Sequence, residues 1–267
     1  MRLKLSHRTS YGFDTAPSYG LQQLRLTPQN TPAQSVQDWQ MQVAGGTVEC
    51  SYLDHNQNLV TLISFSPDAQ AVEVTCTGEM ETNEVAGVHG AHRGLVPLWV
   101  FLQPSDLTRA GNGTRKLTAG LRDAKLSDIE RLHTLSARIL EAVPYAIGPT
   151  HAGSSAEEAI EAGSGVCQDH AHIFISAARL LGYPARYVSG YLMMEDRIHQ
   201  DASHAWAEAH IEGLGWVGFD VSNGISPDTR YVRVASGVDY REAAPIIGLR
   251  YGAGDERLSV DIQVQQQ

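Results

Sequence analysis

Gly163-Ser164-Gly165-Val166-Cys167-Gln168-Asp169-His170 is a glycine-containing turn that leads straight into Ala171–Leu181, an apolar run long enough for a helix. The turn chemistry places Cys167 in the first helical turn. There the positive end of the helix dipole and unpaired backbone N–H groups face its sulfur. Both favour the thiolate, the nucleophilic form of cysteine. Gly182 offers a C-cap and Pro184 stands just beyond it, so the helix is bounded at both ends. A helix that is apolar nearly all round must be covered on every side.

Downstream, Ala202-Ser203-His204-Ala205-Trp206-Ala207-Glu208-Ala209-His210 alternates with period two. One face carries His204, Trp206, Glu208 and His210, and the other carries alanines that suit close packing on a neighbouring element. Glu212-Gly213-Leu214-Gly215 then reads as a hairpin turn, followed by Trp216–Ser222. With a three-residue loop, Glu212–Leu214, Trp206 opposes Asp220 and His204 is its diagonal neighbour on the same face. A two- or four-residue loop would separate the two unless a bulge intervenes. Cys167, His204 and Asp220 are therefore the candidate catalytic residues: nucleophile, base, and the carboxylate that fixes the base's tautomer. The N–H of Cys167 could form half of an oxyanion hole.

Working outward, the first ninety-five or so residues read as β. Leu3, Leu5, His7, Thr9 and Tyr11 alternate with polar residues. Short strands follow at Gln23–Thr27, Val36–Val43, Val48–Leu53, Leu59–Phe65 and Ala71–Thr77, with turn residues between them. This pattern predicts an antiparallel β-sandwich over 1–95. Cys50 and Cys76 fall inside strands and read as core residues. After Gly94 helices appear. Residues 109–123 read as weakly structured or loosely helical. Ser127 with Glu130 forms a capping box ahead of Ile129, Leu132, Leu135 and Ile139. A short helix near Ala156–Ile160 stops at Gly163. The strands after Leu181 complete an α+β unit over 96–267.

The 267 residues carry a net charge of −10, which argues against a nucleic-acid partner. No apolar run approaches the roughly 20 residues of a membrane span, and Met1–Arg8 has no apolar stretch behind it, so neither a membrane partner nor a signal peptide is expected. Three cysteines, odd in number and sparse, fit a cytoplasmic setting better than a disulfide scaffold.

Several blocks carry a family resemblance. These are Gly165–Asp169 with His172, Pro184–Tyr191, Ser203–Trp206, and Gly215–Asp220 with Asn223-Gly224. Together they resemble the transglutaminase-like core of bacterial proteins. The first eighty residues resemble the β-domain that precedes this core in one bacterial branch, and Tyr231–Gly254 resembles that branch's C-terminal segment. The resemblance implies a papain-like core, with the cysteine on a helix and the histidine and aspartate on adjacent antiparallel strands. It also implies Cys167 as nucleophile, His204 as base and Asp220 as orienting carboxylate, but it does not fix a substrate; the chemistry itself leads to the expectation of a peptide or protein amide as substrate and requires no cofactor. Two positions depart from the pattern. His170 replaces an aromatic residue, which places it at the lip of the cleft, and Val221-Ser222 replaces a Pro-Thr or similar pair.

Each signal has a plainer reading. Alone, Cys167 or His204 would be a core residue and Asp220 a strand-end carboxylate; their combination favours chemistry. A metal site at Cys167, Asp169, His170 and His172 conflicts with helical geometry, because residues two apart point in different directions. Trp206, Trp216 and Tyr145 read as packing residues. His172 reads as a core residue or one that orients a neighbour, and His89 and His92 as surface residues. A non-enzymatic binding module on the same scaffold is the alternative function, and a metal-dependent hydrolase is a third.

Overall fold

The computed structural model describes residues 1–252 and 254–267. The N-terminal half forms β1 (Arg2–Phe13), β2 (Tyr19–Leu24), β3 (Gln34–Ala44), β4 (Gly46–Leu53), β5 (Leu59–Phe65) and β6 (Ala71–Thr82). The period-two pattern sets which way their side chains face. In β1, Leu3, Leu5, His7 and Thr9 turn inward, and in β6 Val72, Val74, Cys76 and Met80 do. Phe13, Leu24, Ile63, Val72, Val74 and Cys76 fill the space between two sheets. This is the antiparallel sandwich that the alternation predicts.

The rest of the chain begins with β7 (Val88–Gly90) and two short 3₁₀ turns. Helices α1 (Asn112–Thr118), α2 (Asp128–Ala142), α3 (Ala156–Ala162) and α4 (Cys167–Leu181) follow. Then come β8 (Ala185–Leu192), β9 (His199–Gln200), β10 (His204–Ile211), β11 (Gly215–Phe219), β12 (Tyr231–Gly237), α5 (Tyr240–Ala243), β13 (Ile246–Tyr251) and β14 (Glu256–Gln266). Ser127 and Glu130 cap α2 reciprocally, as their spacing requires. Helix α4 ends at Gly182 with φ 100°, a left-handed conformation that glycine tolerates best.

One sheet has the order β12-β8-β10-β11-β7, and the alanine face of β10 lies against α4. Ala205, Ala207 and Ala209 are all buried, and their small side chains let the helix approach. Helices α1, α2 and α3 cover the other sides of α4, which satisfies its all-round apolar surface. The β10–β11 hairpin has the three-residue loop expected: Ile211 pairs with Gly215 and Ala207 with Phe219.

The sandwich is not built from the first ninety-five residues alone. β14 inserts beside β1 in the sheet β3-β6-β1-β14-β9, and β13 pairs with β2 in the sheet β13-β2-β5-β4. Thus two strands in the 96–267 range complete the N-terminal sheets. Leu3, Leu5 and Met80 also share a core cluster with Tyr191, Val232 and Ile262. The open edge of β12 is sealed by two buried side-chain amides. Gln34 donates to Arg233 O at 2.7 Å and accepts from its N–H at 2.8 Å. Asn58 pairs in the same way with Ser236, at 2.8 Å in both bonds. Each amide stands in for a neighbouring strand.

Two expectations need correction. Cys50 is exposed, whereas Cys76 is buried. β4 is an edge strand, and its side chains are exposed along most of its length. His89 and His92 are not surface residues. The His89 side chain is only 10% exposed, and His92 packs on Phe101 and Trp216 and accepts from the Trp216 indole at 3.1 Å. Among the described residues no helix is long and apolar enough to cross a membrane.

Candidate active site

Cys167 is the first residue of α4, half-buried, at the mouth of the helix. The turn before it is held by Asp169, whose carboxylate reaches back to accept from Val166 N at 2.8 Å and from the Thr150 hydroxyl at 2.6 Å. Gly165 has to be a glycine here, because a Cβ would come within 2.7 Å of the Asp169 carboxylate. Gly165 is also tied to the chain before α3, accepting from Ala146 N at 2.8 Å.

His204 opens β10. Its Nε2 lies 2.6 Å from Asp220 Oδ2, and Cys167 is near enough to raise the proton affinity of the same ring. With Nε2 engaged by Asp220, Nδ1 is the nitrogen left for the sulfur. The ring is stacked on Trp206 and tilted against Tyr231, with centroids 6.2 and 5.9 Å away. Burial by these aromatics would by itself lower the proton affinity of His204. The Asp220 hydrogen bond and the interaction with Cys167 outweigh it, and the ring is pushed up to about 10. The imidazolium is therefore the favoured state beside the sulfur at neutral pH.

Asp220 is fully buried and lies one residue beyond β11, bridged to Ile225. The expected strand position is thus extended by an isolated bridge. Besides His204, the carboxylate accepts from the Tyr231 hydroxyl at 2.7 Å, from Asn223 Nδ2 at 2.7 Å and from Asn223 N at 3.2 Å. Burial acts to raise its proton affinity, and these donors together hold it below the usual carboxylate range. Tyr231 has no local signature in the sequence, since it reaches the site from β12. Asn223 belongs to the Asn223-Gly224 pair that carries the family resemblance, with no role of its own legible there.

The other flagged residues sort clearly. His170 is buried directly behind the cleft wall, its ring 6.2 Å from that of Tyr145 and its Nδ1 2.8 Å from the Ser222 hydroxyl, both residues of that wall, with Nε2 at 2.7 Å from Val143 O. His172 is buried elsewhere and accepts from Tyr240 N at 3.2 Å. The two histidines thus face different partners. Among the described residues no group of three His, Cys, Asp or Glu side chains converges as metal ligands. Trp206 and Trp216 are core residues. Tyr145 is not a packed residue; it is half-exposed on the wall of a cleft of about 550 Å³ that His204 also lines. Ile147, Met194, Arg197 and Arg230 form more of that wall.

Residues 115–221 match the transglutaminase-like superfamily, and residues 3–81 match the bacterial transglutaminase-like N-terminal region. An uncharacterized protein of Mycobacterium leprae is 28% identical over 277 residues, covering 98% of both chains. An uncharacterized Mycobacterium tuberculosis protein is 27% identical over 293 residues, covering 98% of this chain and 91% of its own. The fold matches that of a candidate cysteine protease from Cytophaga hutchinsonii with a TM-score of 0.77 at 21% identity, over 99% of this chain and 90% of that one. The chain is therefore a transglutaminase-like protein, with a bacterial transglutaminase-like N-terminal region joined to a transglutaminase-like core.

Proposed function

We propose that this protein is a cysteine-dependent amide-bond enzyme. The observation that carries the reading is the His204 ring, held at 2.6 Å by a buried Asp220 and raised in proton affinity by Asp220 and by Cys167 at the start of α4. Cys167 Sγ attacks an amide carbonyl, and the new C–S bond forms as the carbonyl π electrons move to oxygen. The backbone N–H of Cys167, at the start of α4, donates to that oxyanion in this scheme. The C–N bond then breaks while His204 Nδ1 donates its proton to the departing amine, which leaves an acyl-thioester. Neutral His204 next takes a proton from the incoming nucleophile, and the thiolate departs.

Water as that nucleophile makes the protein a peptidase or amidase; an amine makes it a transglutaminase. Hydrolysis is the favoured outcome. The cleft wall at Tyr145 and Ile147 is open to solvent, 52% and 84% exposed, and hydrolysis requires no second substrate site. Three unpaired cysteines suit work in a reducing compartment such as the cytoplasm.

The test is alkylation of the native protein followed by turnover on a panel of peptide and protein amides, with hydroxylamine as acyl trap. Cys167 should react faster than exposed Cys50, and Cys167→Ala should abolish turnover. Asp220→Asn should slow turnover by about 10²–10⁴-fold. Hydroxamate appearing only at high hydroxylamine would mark a hydrolase. A Cys167 no more reactive than Cys50, with turnover unaffected by Cys167→Ala, would end the nucleophile reading.

A further inference from the structure

A second cavity, about 460 Å³, lies where the N-terminal sandwich meets the core sheet. It sits over the face of β10 that carries His204, but toward the other end of the strand. At its base Glu208 is fully buried between two arginines. Arg186 Nε donates to Glu208 Oε2 at 2.6 Å, and Arg233 Nε donates to Oε1 at 3.0 Å. Both arginines line the cavity. Each spends only its Nε on the carboxylate, and the terminal guanidinium nitrogens have no hydrogen-bond partner among the described residues. The Arg186 guanidinium also lies over the Trp216 ring, its Cζ 3.9 Å from the centroid.

A third group adds to the same surface. His89 lines the cavity with its side chain 10% exposed and its Nε2 3.6 Å from Glu208. Neither of its ring nitrogens has a partner among the described residues. Two guanidiniums against one carboxylate leave the base of the cavity with a net positive charge, and Arg93 stands at its rim. Paired guanidinium edges held at fixed angles match the oxygens of carboxylate and phosphate groups. The volume suits a metabolite-sized molecule.

We propose that this cavity binds a small oxyanion-bearing ligand, with a carboxylate or phosphate group seated against Arg186 and Arg233. The site is separate from the amide-bond chemistry: neither arginine hydrogen-bonds to Cys167, His204 or Asp220, and the site stands whether or not Cys167 is a nucleophile.

The test uses the unmodified protein and the arginine reagent phenylglyoxal, with labelling mapped by mass spectrometry. Inorganic phosphate and citrate are compared with sodium chloride at equal ionic strength. Saturating phosphate or citrate should slow labelling of Arg186 and Arg233 about fivefold or more. Arg109 and Arg257, 73% and 82% exposed, should be unchanged. Protection by phosphate alone identifies a phosphoryl ligand, and protection by citrate alone a carboxylate. Unchanged labelling at Arg186 and Arg233, or an equal fall at Arg109, would overturn the site. Failure of both arginines to react in chloride would overturn it equally, because their terminal nitrogens would then be closed.

Discussion

His170 on α4 and Ser222, two residues beyond Asp220, share a hydrogen bond of 2.8 Å. Burial pushes the His170 ring below its ordinary proton affinity, so it is neutral near pH 7. Its Nε2–H donates to Val143 O, and Nδ1 accepts from the Ser222 hydroxyl. The bond ties the helix that begins at Cys167 to the loop that holds Asp220.

Ser222→Ala leaves a buried ring nitrogen without a donor, which costs about 1–3 kcal/mol. The thermal midpoint should fall, and Ser222→Thr, which keeps the hydroxyl, should recover most of the loss. Equal midpoints for wild type and Ser222→Ala would show that the bond contributes nothing.

Tyr231→Phe keeps the edge-to-face contact with Trp206, at 5.4 Å between centroids, but removes one donor from Asp220. His204 and Asn223 still hold the carboxylate. The loss should be about 1–2 kcal/mol, as for one hydrogen bond to a charged group with others remaining. Alkylation of Cys167 should slow, though less than in Asp220→Asn. Denaturant unfolding and alkylation kinetics of the three proteins, compared side by side, check both points.

Glu208 is buried, which by itself would raise its proton affinity, and Arg186 and Arg233 hold it well below the usual carboxylate range instead. Glu208→Gln strands two partly buried guanidiniums, so a loss of about 3–5 kcal/mol is expected in urea unfolding. A loss within error of zero would mean that water solvates the arginines well enough to replace the pair.

Stability should fall on the acid side in two stages. Burial pushes His7 and His172 down to about 4. For a base with a lowered folded value, the unfolded chain binds the proton more readily, so stability is full above about 6.5 and is lost as pH falls toward 4. Glu208 and Asp220, both lowered, add their loss below the ordinary carboxylate values. His204 works the other way. Its raised value gives a contribution that is full below about 6.5 and is lost as pH rises toward 10. Unfolding midpoints from pH 4 to 10 should therefore trace a dome, and His172→Gln should flatten its slope between 6.5 and 4. An unchanged slope in that variant would remove His172 from the account.

Local chemistry alone determined much of this protein. Helix α4 begins at Cys167 and ends before Gly182 because turn residues flank one apolar run. Ser127 and Glu130 start α2 through a bond three residues long. The hairpin turn at Glu212–Leu214 sets the β10–β11 register, and that register places His204 beside Asp220. Each of these depends on residues at most about sixteen apart, where turn type and period leave a readable mark.

Only the tertiary structure decided the rest. Tyr231 reaches Asp220 because β12 lies beside β8. Ser222 meets His170 across 52 residues, and Gln34 seals β12 across 199. β13 and β14 return to the sandwich from the far end of the chain. Cys50 is exposed and Cys76 buried although both sit in alternating strands, since period two reports which face a residue takes but not whether anything covers it. Glu208 shares its face with His204 in the sequence pattern, yet its role follows from arginines on β8 and β12. Contacts of this kind are chosen by how sheets and helices pack, and nothing near each residue in the chain records the choice.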